Sequence, residues 1–348
     1  TLLIWMPDRK TVINNIAWPT MFNIYTLRGE MFRNPVKLLR GLDLMLELEP
    51  DHMVGVHGLP ISGKEAIRKA VTEYRDCIQF TYDQTVRGIN AGLSPAELVE
   101  FVRLPPALAN GRLTGQFYGE LPFYVRQIYA GLVGWFGADT VELHPVAPVE
   151  EARRLIDLSG GADRMFEAAE RSLAAREYSW TAQLATYLLR QSPNDERYKA
   201  LKAKALRAMG QVTTASNTRS WYLTQARELE GDVDTRQLPI RFANEAMVKQ
   251  MPPLTYVNAL RFRLPPELSA DGAKVVRLAL TGVGAFDRHL RHGVVEIRPS
   301  APASAAECEI EMTFDDWAKM NGGAKASVDT SAFTIAGNAA LARKIIDA

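Results

Sequence analysis

Histidine is the side chain best suited to bind a metal ion or move a proton near neutral pH. The chain has five: His52, His57, His144, His289 and His292. No His-x-His pair occurs among them. His289 and His292 form His-x-x-His within DRHLRHG. On a helix these two would share a face and could hold a metal. No glutamate follows the first, however, and the segment reads as a strand, so both are expected to be structural or solvated. His57 follows the apolar run HMVGV and precedes the Pro-containing loop GLPISG. Loops at strand ends are where site residues collect. His144, in LHPVAP, reads as a linker residue with a structural hydrogen bond, and His52 opens a strand. Cys77 and Cys308 lie far apart and match no metal or redox spacing, which makes them buried free thiols.

The elements that must position these residues fall into three stretches. Residues 1–75 alternate strand and helix: TLLIWM is a strand, PDRK a turn and TVINNI its return strand. NPVKLLRGLDLMLELEP has apolar residues at helical spacing and stops at Pro50. HMVGV is a short buried strand. Ser62 is placed to N-cap KEAIRKAVTEYRDCIQF, with Glu65 completing a capping box. The order β-β-α-β-α suggests a layered α/β sandwich.

Residues 76–231 read as helical, with breakers at 92–95, 105–106, 119–122, 145–148, 160–161 and 193. From Glu150 to Met209 the pattern resembles tetratricopeptide hairpins, with a Pro-Asn-Asp break. So few repeats must pack on neighbours or on a second copy of the chain. The aromatic group Phe117, Tyr118, Tyr129, Trp135 and Phe136 suits core or dimer packing, or one wall of an alkyl-chain tunnel. Residues 232–348 carry strand-like runs at TYVNALRFRL, AKVVRLALTG, GVVEIRP and ECEIEMTF. A helix at FDDWAKMNG and a closing helix at NAALARKIIDA complete an α+β domain with an antiparallel sheet.

With 41 basic and 40 acidic residues the net charge is +1, which argues against nucleic acid or an anionic membrane as partner. No apolar run has the length of a membrane span, so no integral membrane protein is expected. The first residues lack the marks of a signal peptide. They open directly in strand-like sequence, as a domain cut within a sheet would. A soluble bacterial-type protein of cytoplasm or periplasm fits these features.

Five blocks in order carry a family resemblance: NIYTLRGE (23–30), VHGLPISG (56–63), YDQTVRGINAGLSPAEL (82–98), FYGELPFYVRQIYAGLVGWFGADTVELHP (117–145) and EEARRLIDLSGGADRMFEAA (150–169). The chain resembles the class III alkyl sulfatases, zinc hydrolases of the metallo-β-lactamase superfamily. The resemblance implies three parts. Residues 1–75 would be the C-terminal part of a metallo-β-lactamase αββα sandwich, residues 76–231 a helical dimerisation domain, and residues 232–348 a domain like sterol carrier protein two. It also implies two zinc ions, which together hold a bridging hydroxide and polarise the ester.

Most of the family's metal ligands come from a His-x-His-x-Asp-His motif upstream of this chain's first residue. Two ligand positions would fall inside the chain. His57 matches the last histidine ligand. Asn15 stands where the family has a bridging glutamate, and an amide offers one carbonyl oxygen and no negative charge. The following IAWPTMF, with Trp18, Pro19 and Phe22, lacks the histidines the family carries there and so lacks an imidazole to protonate a leaving group. Arg28 matches the arginine that contacts sulfate, for which a guanidinium fork is well shaped. Asn90 and Tyr118 would add hydrogen bonds to the anion, and Arg87 would form a structural ion pair.

Three functions are compatible with these residues. The chain is part of a hydrolase of alkyl sulfates or related anionic esters, completed by an upstream segment or partner subunit that bears His-x-His-x-Asp-His. The second reading is a non-catalytic dimerisation and amphiphile-binding subunit or degenerate paralogue of that family, and the third is a fragment of a longer polypeptide. A homodimer and an amphiphilic alkyl-chain ligand are expected in the first two cases.

Overall fold

The computed structural model describes residues 2–17, 22–27, 29, 31–109, 111, 113–235, 244–301 and 305–347. It divides into two compact units, Thr1–Arg236 and Gln237–Ala348.

The first unit opens with a hairpin. Strand β1 (Leu3–Met6) pairs antiparallel with β2 (Thr11–Asn14), Leu3 opposite Asn14 and Met6 opposite Thr11. Pro7 starts the tight turn between them, and Lys10 closes it in the left-handed region at φ 42°. Helix α1 (Pro35–Glu47) crosses over to β3 (His52–Gly55), which lies parallel to β2, and β4 (Ile61–Ser62) closes the sheet. A crossover helix is what joining two parallel strands requires. Leu38, Leu42 and Met45 of α1 pack with Val12 and Met53 of the sheet.

Helix α2 (Lys64–Asn90) does not begin on Ser62 as the sequence suggests. Gly63 takes the N-cap position at φ 99° with no side-chain cap. The Ser62 hydroxyl is instead 2.9 Å from His52 Nδ1 on the neighbouring strand, and Glu65 pairs with Arg68. Strand pairing between β3 and β4 brings His52 opposite Ser62, and that cross-strand partner displaces the local cap. Ser62→Ala is therefore expected to leave stability nearly unchanged. Gly63→Ala is expected to cost about 1–3 kcal/mol, because a Cβ is strained at that φ. Urea unfolding of both variants checks the order, and a costlier Ser62→Ala would reverse the assignment.

The rest of the unit is helical: α3 (Pro95–Phe101), α4 (Pro106–Ala109), α5 (Leu121–Leu132), α6 (Pro148–Leu158), α7 (Ala162–Ala174), α8 (Tyr178–Gln191), α9 (Glu196–Val212) and α10 (Ser216–Leu229). The Pro-Asn-Asp break holds as read, since Asp195 caps α9 by accepting from the Arg197 N–H at 2.9 Å. Small side chains at Ala182, Ala203, Ala205 and Ala226 let α8, α9 and α10 approach closely.

In the second unit, α11 (Glu245–Gln250) and α12 (Pro253–Ala259) precede a sheet of β5 (Lys274–Thr281), β6 (Gly284–Arg291), β7 (Val294–Pro299), β8 (Cys308–Thr313) and β9 (Thr334–Gly337). Helices α13 (Phe314–Lys319) and α14 (Ala339–Asp347) follow β8 and β9. The strand order is β7-β6-β5-β8-β9.

Two expectations are corrected here. TYVNALRFRL is not a strand, because its first half is α12 and its second a 3-10 turn, Leu260–Arg263. Two prolines start it as a helix, and the Thr255 and Tyr256 N–H groups close the first turn onto Pro252 O. The sheet is also mixed rather than antiparallel, because β5 and β8 run parallel, Val276 opposite Cys308. Among the described residues no helix is long and apolar enough to cross a membrane.

Candidate functional site

Parallel pairing of β2 and β3 sets Asn14 opposite Gly55, and the Val56 N–H donates to Asn14 O at 3.1 Å. Asn15 and His57 therefore follow the carboxyl ends of adjacent parallel strands. This brings together, at one sheet end, the two positions singled out in the sequence. Both residues are exposed. Their setting is fixed by Asn14, which is buried. Its amide oxygen accepts from the N–H groups of Ile16 (3.0 Å) and Ala17 (2.8 Å), and its amide nitrogen donates to Val54 O at 3.3 Å.

The next segment, 22–27, is tied to three helices. Phe22 is fully buried and meets the rings of Tyr74 on α2 and Tyr124 on α5 edge-on, at 5.8 and 5.1 Å between centroids. The Tyr124 hydroxyl donates to Phe22 O at 2.5 Å, and the Asn23 N–H donates to the Tyr74 hydroxyl at 3.1 Å. Burial pushes both phenols far above their ordinary range, so both stay neutral and keep these bonds. Trp221 of α10 donates from Nε1 to Leu27 O at 2.7 Å. Arg28, Trp18 and Pro19 lie outside the described residues. The segment leading to Arg28 is nonetheless anchored up to Leu27.

Tyr118 belongs to the same neighbourhood. Its carbonyl accepts from Asn217 Nδ2 at 2.9 Å, and the next residue, Gly119, lies so close to the 22–27 segment that a Cβ there would sit 2.8 Å from Tyr25 O. Asn90 does not join it. It ends α2, exposed, 16 residues beyond Tyr74, or about 24 Å along the helix axis. Arg87, one turn earlier, is exposed as well.

His144 is exposed in the loop before α6, and His52 bonds Ser62. His289 is on β6, while His292 occupies the following turn at φ 52°, so the two share no helix face. Cys77 and Cys308 are buried free thiols, as expected. Burial raises the Cys77 thiol to about 12.

One residue that the sequence reading passed over is Arg288. On β6, Phe286, Arg288 and Leu290 point to the helix-covered face of the sheet, and Arg288 is 9% exposed. Burial pulls its guanidinium down to about 10. The signal was present in the sequence, because FDRHL breaks the period-two apolar pattern with a charge at an inward position.

Residues 94–232 match the family model "Alkyl sulfatase dimerisation". A linear primary-alkylsulfatase of Pseudomonas sp. (strain ATCC 19151) is 36% identical over 308 residues, 85% of this chain and 58% of that protein. This chain belongs to the alkylsulfatase family. An alkyl/aryl-sulfatase of Saccharomyces cerevisiae is 30% identical over 241 residues, 68% of this chain and 37% of that protein. The solved structure of a stereoselective inverting sec-alkylsulfatase from Pseudomonas sp. superposes with a TM-score of 0.87 at 23% identity, covering 99% of this chain and 55% of that one. The alkylsulfatase-family chain thus spans roughly half the length of the relatives it matches, and its chain order of a small sheet, a helical region and a second sheet with helices corresponds to part of theirs.

The fit of these donors to the zinc that the resemblance implies turns on their number and type. A zinc ion takes about four ligands. The sheet end provides one imidazole, His57, and an amide in place of a carboxylate, Asn15. Among the described residues no group of three His, Cys, Asp or Glu side chains could hold a metal ion. The donors among the described residues do not fit a zinc centre.

Proposed function

We propose that this chain is part of a zinc-dependent alkylsulfatase-type hydrolase acting on alkyl sulfates or related anionic esters. In this reading the ions are held chiefly by residues outside the chain, with His57 as one added ligand. The supporting observation is that Asn15 and His57 follow adjacent parallel strands, beside a 22–27 segment anchored by Phe22 and leading to Arg28. Arg28 grips the anion by a bidentate fork, and Tyr118 lies within the same neighbourhood. Asn90 lies at the end of α2 remote from Tyr74.

The first 75 residues are read as the C-terminal part of a metallo-β-lactamase sandwich, residues 76–231 as a tetratricopeptide-like dimerisation domain, and residues 232–348 as a domain like sterol carrier protein two that takes an alkyl chain. Homodimerisation through the helical region is supported by the family match and by exposed apolar side chains within it, Trp135 at 71% and Val141 at 73%.

Asn15 favours a second reading, in which the chain is a non-catalytic dimerisation and amphiphile-binding subunit or a degenerate paralogue. Elemental analysis separates the two. Alone, the chain is expected to retain no stoichiometric zinc. Joined to or co-purified with a segment bearing His-x-His-x-Asp-His, it should hold about two zincs per protomer and release sulfate from dodecyl sulfate. His57→Ala should then weaken zinc by at least the roughly 10–100-fold that loss of an outer-shell partner brings. An assembly with neither zinc nor turnover leaves the second reading.

A further inference from the structure

The two faces of the second unit's sheet treat charge differently. On one face Arg277 of β5 donates from Nε to Asp287 of β6 at 2.8 Å, and Glu309 of β8 lies 3.8 Å from the same guanidinium. On the other face Arg288 is set among apolar residues, opposite Val276 on β5 and Ile297 on β7. Its guanidinium has no carboxylate or hydrogen-bond partner among the described residues. A buried cation without a counter-ion is strongly unfavourable.

Arg288 borders a half-enclosed pocket whose empty space, open solvent at its mouth included, is about 660 Å3. Leu278, Ile310, Trp317 and Ile345 form apolar walls. Arg261, Arg263 and Lys325 also border it, and all three are exposed, which places them at the mouth. No aspartate or glutamate lines it among the described residues. Apolar walls favour an alkyl chain, and a lining whose charges are all positive favours an anion over a cation.

We propose that this cavity binds a single-chain alkyl anion, a fatty carboxylate or alkyl sulfate, with its charged head on Arg288 and its chain along the apolar walls. The proposal rests on the reading that the second unit takes an alkyl chain, and adds the buried anchoring group and the sign of the head. An entering carboxylate supplies the counter-ion that the protein withholds, so the charge that weakens the empty domain becomes the source of head-group selectivity.

Calorimetric titration of the full chain tests this, with dodecanoate and dodecyltrimethylammonium kept below their micelle concentrations and dodecanol below its solubility limit. Dodecanoate is expected to bind a single saturable site, roughly tenfold or more tighter than dodecanol, the weight of charge-assisted over neutral hydrogen bonding. The trimethylammonium amphiphile should not bind. Arg288→Met should reduce dodecanoate to the dodecanol level while melting at the same temperature as the parent or higher, and Arg288→Lys should keep the anion preference.

Equal affinity for dodecanoate and dodecanol would overturn the proposal while leaving the alkyl-chain reading in place. So would a folded Arg288→Met that binds dodecanoate unchanged. Absence of saturable binding by any of the three would overturn both. The head-group comparison is made on the unaltered chain, so it decides the question even if a variant fails to fold.

Discussion

Phe22→Ala is expected to destabilise the first unit by about 3–5 kcal/mol, the range for truncating a buried aromatic ring. The side chain is fully buried, and its removal deletes the edge-on contacts to both Tyr74 and Tyr124. The tyrosines are held by bonds to the 22–27 backbone as well, so the ring cannot be replaced by their inward collapse. A cavity therefore remains and adds to the lost transfer energy. Tyr124→Phe keeps the volume and strands the Phe22 carbonyl, at a cost of about 1–3 kcal/mol. Urea unfolding followed by tryptophan fluorescence measures both, and Trp221 reports locally because its indole donates to Leu27 O. A loss below about 1 kcal/mol for Phe22→Ala would mean that the segment leading to Arg28 is not anchored where it is described.

Arg277→Met is expected to cost the second unit about 3–5 kcal/mol at neutral pH, the penalty for removing one partner of a buried ion pair. Asp287 is 2% exposed and would lose both guanidinium bonds, those from Nε and Nη2. The neighbouring change Arg288→Met should show no such loss, because no carboxylate is left behind. Two arginines in adjacent strands of one sheet, given the same substitution, are thus expected to differ by several kcal/mol. Chemical unfolding of the two variants side by side measures the difference. Equal losses would mean that Arg288 also has a partner in the folded chain, which would remove the motive for an anionic ligand.

Much of the architecture was legible from local pattern. The β1–β2 hairpin followed from an apolar run, a proline turn and a return strand. Helix α1 followed from helical spacing closed by Pro50, and the α8–α9 break from Pro-Asn-Asp with Asp195 as cap. In each case the decisive interactions lie within a few residues of one another. The family, too, was legible, because five ordered blocks carry it and the identity to the Pseudomonas primary-alkylsulfatase extends across 85% of the chain.

What the sequence could not supply was decided by partners distant in the chain. Ser62 is a sound local N-cap, but β3–β4 pairing gave its hydroxyl to His52, ten residues away. The alternation in the second half of TYVNALRFRL fits a strand, but the prolines before it and the sheet beneath it made a helix and a turn. The parallel β5–β8 pairing joins residues some 30 positions apart and leaves no periodic trace distinct from an antiparallel one.

The site divides the same way. By itself the sequence, through its family resemblance, singled out candidates for chemistry: His57, Asn15 and Arg28. Tertiary structure alone decided their company. Strand register set Asn15 beside the His57 loop, the length of α2 carried Asn90 away, and sheet pairing gave Asp287 a guanidinium while leaving Arg288 none. Local propensity is a property of neighbours in sequence, whereas a charge's counter-ion and a site's completeness depend on which distant strands and helices fold against it.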